Sequence, residues 1–310
     1  MRALITGATG FVGKYLHREL IGCGTEVYAC GGPADGTSPA IDLRSSASMV
    51  SAIEHAKPEV VFHLAAQSFV PESIANPRET YETNVLGTAN LAAAVRTYKR
   101  TTGSAPRIVF ASSAEVYAGN AAGEDGIDET RLPRPLNPYG ASKLGAEAVL
   151  VAEAACFDLD VVIARSFNHI GVGQDTRFSV PGFAAQLAAI PDRGEGQIEV
   201  GDLESVRDFL DVRDVVAAYI ALARYGRAGD VYNVCSGSGT SMRSMLDMLI
   251  SASGRNVAVK VNPSRLRSVD VPALVGRNEK IRADVGWASR HSLGDSIRAI
   301  MAAATEGAGS

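Results

Sequence analysis

The 310-residue chain is 46% hydrophobic and 21% charged, with a formal net charge of -4, the profile of a soluble globular protein built as one large α/β domain or two intimately connected ones. That charge argues against a dedicated nucleic-acid binder, which carries a basic stripe, and leaves room for a local cationic pocket that takes an anionic small molecule. Four scattered cysteines and five histidines without ligand spacing give neither a disulfide frame nor a metal site, no apolar run is long enough to span a bilayer, and the cytoplasm is the expected location.

The segment "RALITG" reads as a first strand, followed by a helix over 11–22, the strand "EVYAC", a helical stretch near 46–56 and the strand "EVVFHLAA". A long helix is expected from about 78 to 102, then the strand "RIVFASS", then a helix beginning near Tyr139 that leads into "DVVIARSFN". Apolar strands separated by amphipathic helices are the pattern of a buried parallel sheet with helices on both faces. After residue 166 the alternation weakens. "VPGFAAQLAAI", "DVVAAYIALARYG" and "SMRSMLDMLISASG" read as helices, and "QIEVG", "DVYNVCSG" and "NVAVKV" as strands. We expect an α/β fold with a doubly wound parallel sheet over 1–166, rejoined by about 208–236, and a smaller α/β substrate lobe from 167–207 and 237–310. The Gly-, Ala- and Pro-rich stretch before Tyr139 is expected to be a surface loop that covers a site, and the tail "TEGAGS" to fray.

"ITGATGFVG" places Gly7, Gly10 and Gly13, with Phe11 and Val12, between the first strand and the first helix. Glycines there permit a tight turn and let backbone N–H groups approach a pyrophosphate at a helix N-terminus, so dinucleotide binding is a better reading than a bare turn. The spacing is G-x-x-G-x-x-G rather than G-x-G-x-x-G. Where the second strand ends, an acid would favour NAD and an arginine NADP; Cys30, Gly31 and Gly32 stand there, with Asp35 nearby, and leave the choice open. Asp42, before Leu43, can present a carboxylate to an adenine amino group or simply open a helix.

Tyr139 and Lys143 lie one helical turn apart and so share a face, which by itself also describes a solvated helix start. "VFASSAEVY" adds Ser112, Ser113 and Glu115 at the carboxyl end of a strand, where open parallel sheets gather ligands. Together these residues form a mechanism: Ser113 holds a substrate oxygen, Tyr139 exchanges its proton, and Lys143 lowers the tyrosine pKa and reaches the nicotinamide ribose.

With "HLAAQS" at 63–68, "TNVLGT" at 83–88, "SSAEVY" and "PYGASK", the chain resembles the extended short-chain dehydrogenase/reductase family over nearly its whole length. The resemblance implies a Rossmann domain, the Ser113/Tyr139/Lys143 triad, a nucleotide-sugar substrate, and NADPH as cofactor with NADH possible. It adds Leu64, Ala65 and Ala66 to the cofactor site. It assigns Gln67, Ser68, Asn168, Arg207, Arg267 and Asp270 to the substrate, the arginines facing a diphosphate. It also implies a homodimer through a four-helix interface formed by the Tyr139 helix and the long helix near 84–102. Val206, Phe209, Asp211 and Arg213 resemble the reductases of the GDP-mannose branch more than its dehydratases. The expected reaction is therefore reduction of the C4 ketone of a GDP-linked 4-keto-6-deoxy sugar to GDP-D-rhamnose. The alternative is a 4,6-dehydratase or epimerase of the same family, in which a glutamate at the place of Glu115 acts as base. Val172 where a proline is usual, and Ala118 and Gly119 where a single glycine is common, depart from the family pattern in loops.

Overall fold

The computed structural model describes residues 1–31, 41–120, 126–191, 195–266 and 271–308. Asp35, Gly32, Arg267 and Asp270 lie outside the described residues. Strands β1 (Arg2–Thr6), β2 (Glu26–Cys30), β3 (Val60–His63), β4 (Arg107–Ser113) and β5 (Val161–Ser166) alternate with helices α1 (Phe11–Gly22), α2 (Ser46–Ala56), α3 (Val70–Ala75), α4 (Pro77–Tyr81), α5 (Gly87–Thr102) and α6 (Pro138–Phe157). The chain continues with β6 (Asn168–Ile170), α7 (Ser179–Ala188), β7 (Glu195–Val200), β8 (Val206–Asp211), α8 (Val212–Tyr225), β9 (Val231–Val234), β10 (Gly239–Ser241) and α9 (Met242–Ser253). It closes with β11 (Asn256–Val261), β12 (Ala273–Leu274), α10 (Glu279–Val285) and α11 (Leu293–Ala308).

The central sheet is parallel throughout and runs β2-β1-β3-β4-β5-β9. Its inner strands β3, β4 and β5 are buried on both faces, which is why they read as continuous apolar runs, while the edge strand β2 is only half-buried. One face packs Leu16, Leu20, Val215, Tyr219 and Leu222 from α1 and α8 against Ile5, Phe62, Val109 and Val162. The other packs Met49, Ile53, Leu91, Val95, Ala146 and Leu150 from α2, α5 and α6 against Leu4, Val61, Ile108 and Ile163. The first crossover moves outward to β2 and the next returns past β1 to β3, so the direction reverses between β1 and β3. A doubly wound sheet opens its ligand crevice at the carboxyl ends beside such a reversal.

The single helix expected over 78–102 is instead α4, a π-helical turn (Glu82–Leu86) and α5. The π turn carries the buried Asn84, whose side chain bonds away from the helix, and such turns recur at functional sites. Helix α6 starts where sequence reasoning puts it, because Pro138 occupies its first turn and the Asn137 side chain accepts from Gly140 N at 2.8 Å.

In the smaller lobe β8 pairs with β10, β12 and β6, β7 pairs with β11, and Phe183, Leu187, Met245, Leu249, Ile297 and Met301 of α7, α9 and α11 share one core. Strand β8 spans the expected crossing near residue 208 yet pairs wholly within the small sheet, so the return to the central sheet begins with α8. Asp211 caps that helix by accepting from Arg213 N at 2.8 Å. Helix α10, expected in the lobe, packs Ile281 into the α8 side of the central sheet together with Trp287, whose indole N–H donates to Asp214 O at 3.0 Å. The described part of the loop before Tyr139 does not roof the site. Its Ile127 is buried and pairs with Gly276 of the lobe. Among the described residues no helix is long and apolar enough to cross a membrane.

Candidate active site

A cavity of about 1300 Å³ opens at the carboxyl ends of the central strands and extends under the smaller lobe, large enough for a dinucleotide and a second ligand together. At one end lies the glycine turn. Gly7 has φ 75°, and a Cβ there would stand 2.8 Å from Ala65 N; at Gly13 it would stand 2.1 Å from Gly7 O. The turn is therefore pressed against both the β3 loop and the start of α1, and only glycine fits. Gly10 caps α1 without a side-chain bond, so the first N–H groups of the helix, at Phe11, Val12 and Gly13, border the cavity with no side chain in their way. This is a cradle that suits a pyrophosphate, and the residues present fit a dinucleotide.

Leu64, Ala65, Ala66, Gln67 and Ser68 form the adjoining wall. Asp42 lines the cavity too, but its carboxylate is already held by Arg44, which donates from Nε at 3.0 Å and from its backbone N at 2.9 Å. Leu43 packs its side chain against Gly87. At the end of β2, Cys30 is buried and Gly31 is crowded by the Thr9 side chain.

Ser113, Glu115, Tyr139 and Lys143 meet in the middle of the cavity. Ser113 ends β4, and its hydroxyl accepts from Glu115 N at 3.2 Å. Lys143, buried on α6, donates from Nζ to Ala111 O at 2.7 Å and sits 4.9 Å from the Phe110 ring centroid. Burial pulls its pKa down to about 8, against the opposing field of Glu147. Sequence reasoning expects Lys143 to lower the Tyr139 pKa; in the protein on its own the balance runs the other way. Burial pushes the phenol well above its usual value, a hydrogen bond from Ser113 draws it partly back, and the Glu115 carboxylate adds to the rise. The phenol therefore stays neutral and can give a proton.

Asn84 positions the wall beside this centre. Its Oδ1 accepts from Gln67 N at 2.8 Å, and its Nδ2 donates to Gln67 O and to Ser142 Oγ, both at 2.9 Å. Ser142 in turn donates to Tyr139 O at 2.7 Å. Beneath, His63 bridges Thr6 Oγ1 (2.8 Å to Nδ1) and Thr88 Oγ1 (3.0 Å to Nε2). Thr88 spends its own proton on Asn84 O at 2.6 Å, so the ring proton belongs on Nε2 and Thr6 donates to Nδ1.

Asn168 and Arg207 face the lobe end of the cavity. Arg207 is buried, and its Nη1 donates to Val206 O at 2.9 Å and Val271 O at 2.7 Å. Sequence reasoning missed several neighbours there. The Phe69 and Phe178 rings meet edge to face at 5.6 Å with Arg177 over Phe69, His169 stacks on Phe11, and Ser166 pairs with Tyr219 at 2.7 Å. Tyr219 hides within an ordinary amphipathic helix and carries no sequence signal. The Phe69 and Phe178 pair joins segments far apart in sequence.

The chain is similar along almost its whole length to known proteins. The family model for GDP-mannose 4,6 dehydratase matches residues 4–300. A GDP-6-deoxy-D-mannose reductase from Pseudomonas aeruginosa is 34% identical over 97% of this chain and 96% of its own. A GDP-6-deoxy-D-talose 4-dehydrogenase from Aggregatibacter actinomycetemcomitans is 31% identical, again over 97% and 96%. The structure of RMD from Pseudomonas aeruginosa complexed with NADPH superposes with a TM-score of 0.86 at 32% identity, covering 99% of each chain. Glycine turn, doubly wound sheet and a match spanning almost the entire sequence together make the chain a member of the GDP-mannose 4,6 dehydratase family of extended short-chain dehydrogenases/reductases.

Proposed function

We propose that the protein reduces the C4 ketone of GDP-4-keto-6-deoxy-D-mannose to GDP-D-rhamnose, with NADPH as cofactor and NADH as a possible substitute. The observation that carries this reading is the meeting of Ser113, a neutral Tyr139 and Lys143 in one cavity that also holds the glycine cradle. It is supported by the likeness to a GDP-6-deoxy-D-mannose reductase along almost the full chain. Gly7, Gly10, Phe11, Val12 and Gly13 hold the pyrophosphate of the cofactor, and Asp42, Leu43, Leu64, Ala65 and Ala66 border the rest of it. When bound, NADPH supplies the hydride. Tyr139 donates its phenolic proton to the oxygen at C4, Ser113 steadies that oxygen with its hydroxyl, and Lys143 orients the cofactor ribose. Gln67, Ser68, Glu115, Asn168 and Arg207 line the substrate side, and we keep Arg267 and Asp270 as its nucleotide contacts.

A second reading, 4,6-dehydration of GDP-mannose, draws on Glu115, whose carboxylate borders the cavity with Oε2 accepting from Asn137 at 2.7 Å. One experiment separates the two. Loss of NADPH absorbance in step with the 4-keto sugar supports reduction, whereas a 4-keto product from GDP-mannose without net cofactor loss supports dehydration. Tyr139→Phe is expected to abolish turnover while NADPH still binds, and full activity in that variant would sink both readings.

We also propose a homodimer through α5 and α6. Those two helices pack on one another, joined by the Arg96–Glu153 ion pair at 2.8 Å, and Val151 and Phe157 of α6 and Leu86 of the π turn before α5 are exposed. Four unpaired cysteines suit a reducing compartment, and the cytoplasm is the location we adopt.

A further inference from the structure

Behind the triad lies a buried polar chain that the reaction as described does not use. Tyr139, Lys143 and Glu147 follow one another at single-turn spacing along one face of α6. Glu147 is buried and does not ion-pair with the lysine. Its Oε1 accepts from Ser112 Oγ at 2.5 Å and from Arg165 Nε at 2.9 Å, and its Oε2 accepts from Arg165 Nη2 at 2.6 Å. Arg165 Nη1 continues to the Tyr117 hydroxyl at 2.6 Å, which donates to Asn233 Oδ1 at 3.1 Å. Ser112 and Arg165 are paired across β4 and β5, and Ser112 precedes Ser113. The carboxylate is thus fixed by three donors from two strands, one helical turn along α6 from the lysine.

A carboxylate held this firmly in a dry interior gives up its hydration, a loss its fixed donors must offset. Its placement has an electrostatic consequence for Lys143, whose ammonium has one hydrogen bond among the described residues, to Ala111 O. His63 from β3, held neutral by burial, feels the Lys143 charge; Tyr139, Glu115 and Tyr219 border the same cavity; and Glu147, the ion-pair partner of Arg165 from β5, lies one turn further along the lysine's own helix. Of these, Glu147 provides the field that favours the charged lysine.

We propose that Glu147 is a positioning residue: its carboxylate, clamped by Arg165 and Ser112, keeps Lys143 cationic in a pocket that would otherwise strip its charge. The inference deepens the reading of Lys143 as the lysine of the reaction centre, and it can be tested without substrate or cofactor. The chain has six lysines, so the ¹³Cε resonance of Lys143 in lysine-labelled protein can be assigned as the one lost in Lys143→Met. Its titration midpoint is expected near 8 in the wild type and lower by about one pH unit in Glu147→Gln. Because Glu147→Gln strips the Arg165 charge of its carboxylate and risks misfolding, the double variant E147Q/R165Q, in which both members of that ion pair are neutral, is measured alongside. There too the midpoint falls, since the charge that acts on Lys143 is the one removed. An unchanged or raised midpoint in a folded variant overturns the proposal.

Activity gives the second readout. The alkaline limb of the kcat profile should move to lower pH with the midpoint, whereas a merely structural defect would lower kcat evenly across pH. A shifted midpoint in a protein that fails to consume NADPH with the keto sugar keeps the inference and removes the proposed reaction. Normal reduction with an unshifted midpoint does the reverse.

Discussion

Acidification should unlock the structure at His63 before it reaches most carboxylates. The ring is buried between Thr6 and Thr88, and burial, aided by the Lys143 charge, lowers its pKa from 6.5 to about 3. A base with a depressed folded pKa stabilises the fold above its unfolded pKa, and that stability is lost as pH falls from 6.5 toward 3, because the unfolded chain binds the proton first. The full span corresponds to roughly 5 kcal/mol, of which about 3 kcal/mol is gone by roughly pH 4.5. Urea unfolding of the wild type and His63→Gln, followed from neutral pH downward, measures the difference. The variant starts less stable, since Thr6 and Thr88 lose their shared partner, by about 1–3 kcal/mol. It should then lose stability less steeply with acid, so that the two curves converge. Parallel curves would refute the assignment of a neutral, doubly hydrogen-bonded histidine at this position.

Gly13→Ala should destabilise the protein by about 1–3 kcal/mol and remove NADPH binding measured by cofactor fluorescence, because the new Cβ meets backbone at 2.1 Å with no flexible side chain to yield. Gly22→Ala near the end of the same helix meets nothing within 4 Å and should instead raise the melting temperature slightly, by about 0.5–1 kcal/mol of added stability. Asn84→Ala deletes three hydrogen bonds to Gln67 and Ser142. It should cost about 2–3 kcal/mol in denaturant melts and raise the substrate KM, since the Gln67 wall is no longer tied to the Tyr139 helix.

The glycine turn, the alternation of apolar strands with helices, and the order of Ser113, Tyr139 and Lys143 are written in the sequence by themselves. Each rests on a rule that acts over a few residues: a turn that admits no Cβ, the periods of strand and helix, one helical turn between two side chains. The turn rule also puts Gly10 on the cavity wall, and the family resemblance puts Leu64, Gln67 and Asn168 there, where strand ends of a parallel sheet converge. The tertiary structure decided the rest. The π turn that breaks the expected helix carries Asn84, which meets Gln67, 17 residues away. Helix α10 belongs to the central sheet because Ile281 and Trp287 find their cover on α8. Arg207 turns to the Val271 carbonyl, distant in sequence, once the fold brings that partner within reach. Even the chemistry of Tyr139 changes sign: spacing alone suggests a phenol acidified by its lysine, while burial makes it a firmly protonated one. Charge states depend on how much water the fold removes and on which distant groups it brings close, and neither quantity is set by neighbours along the chain.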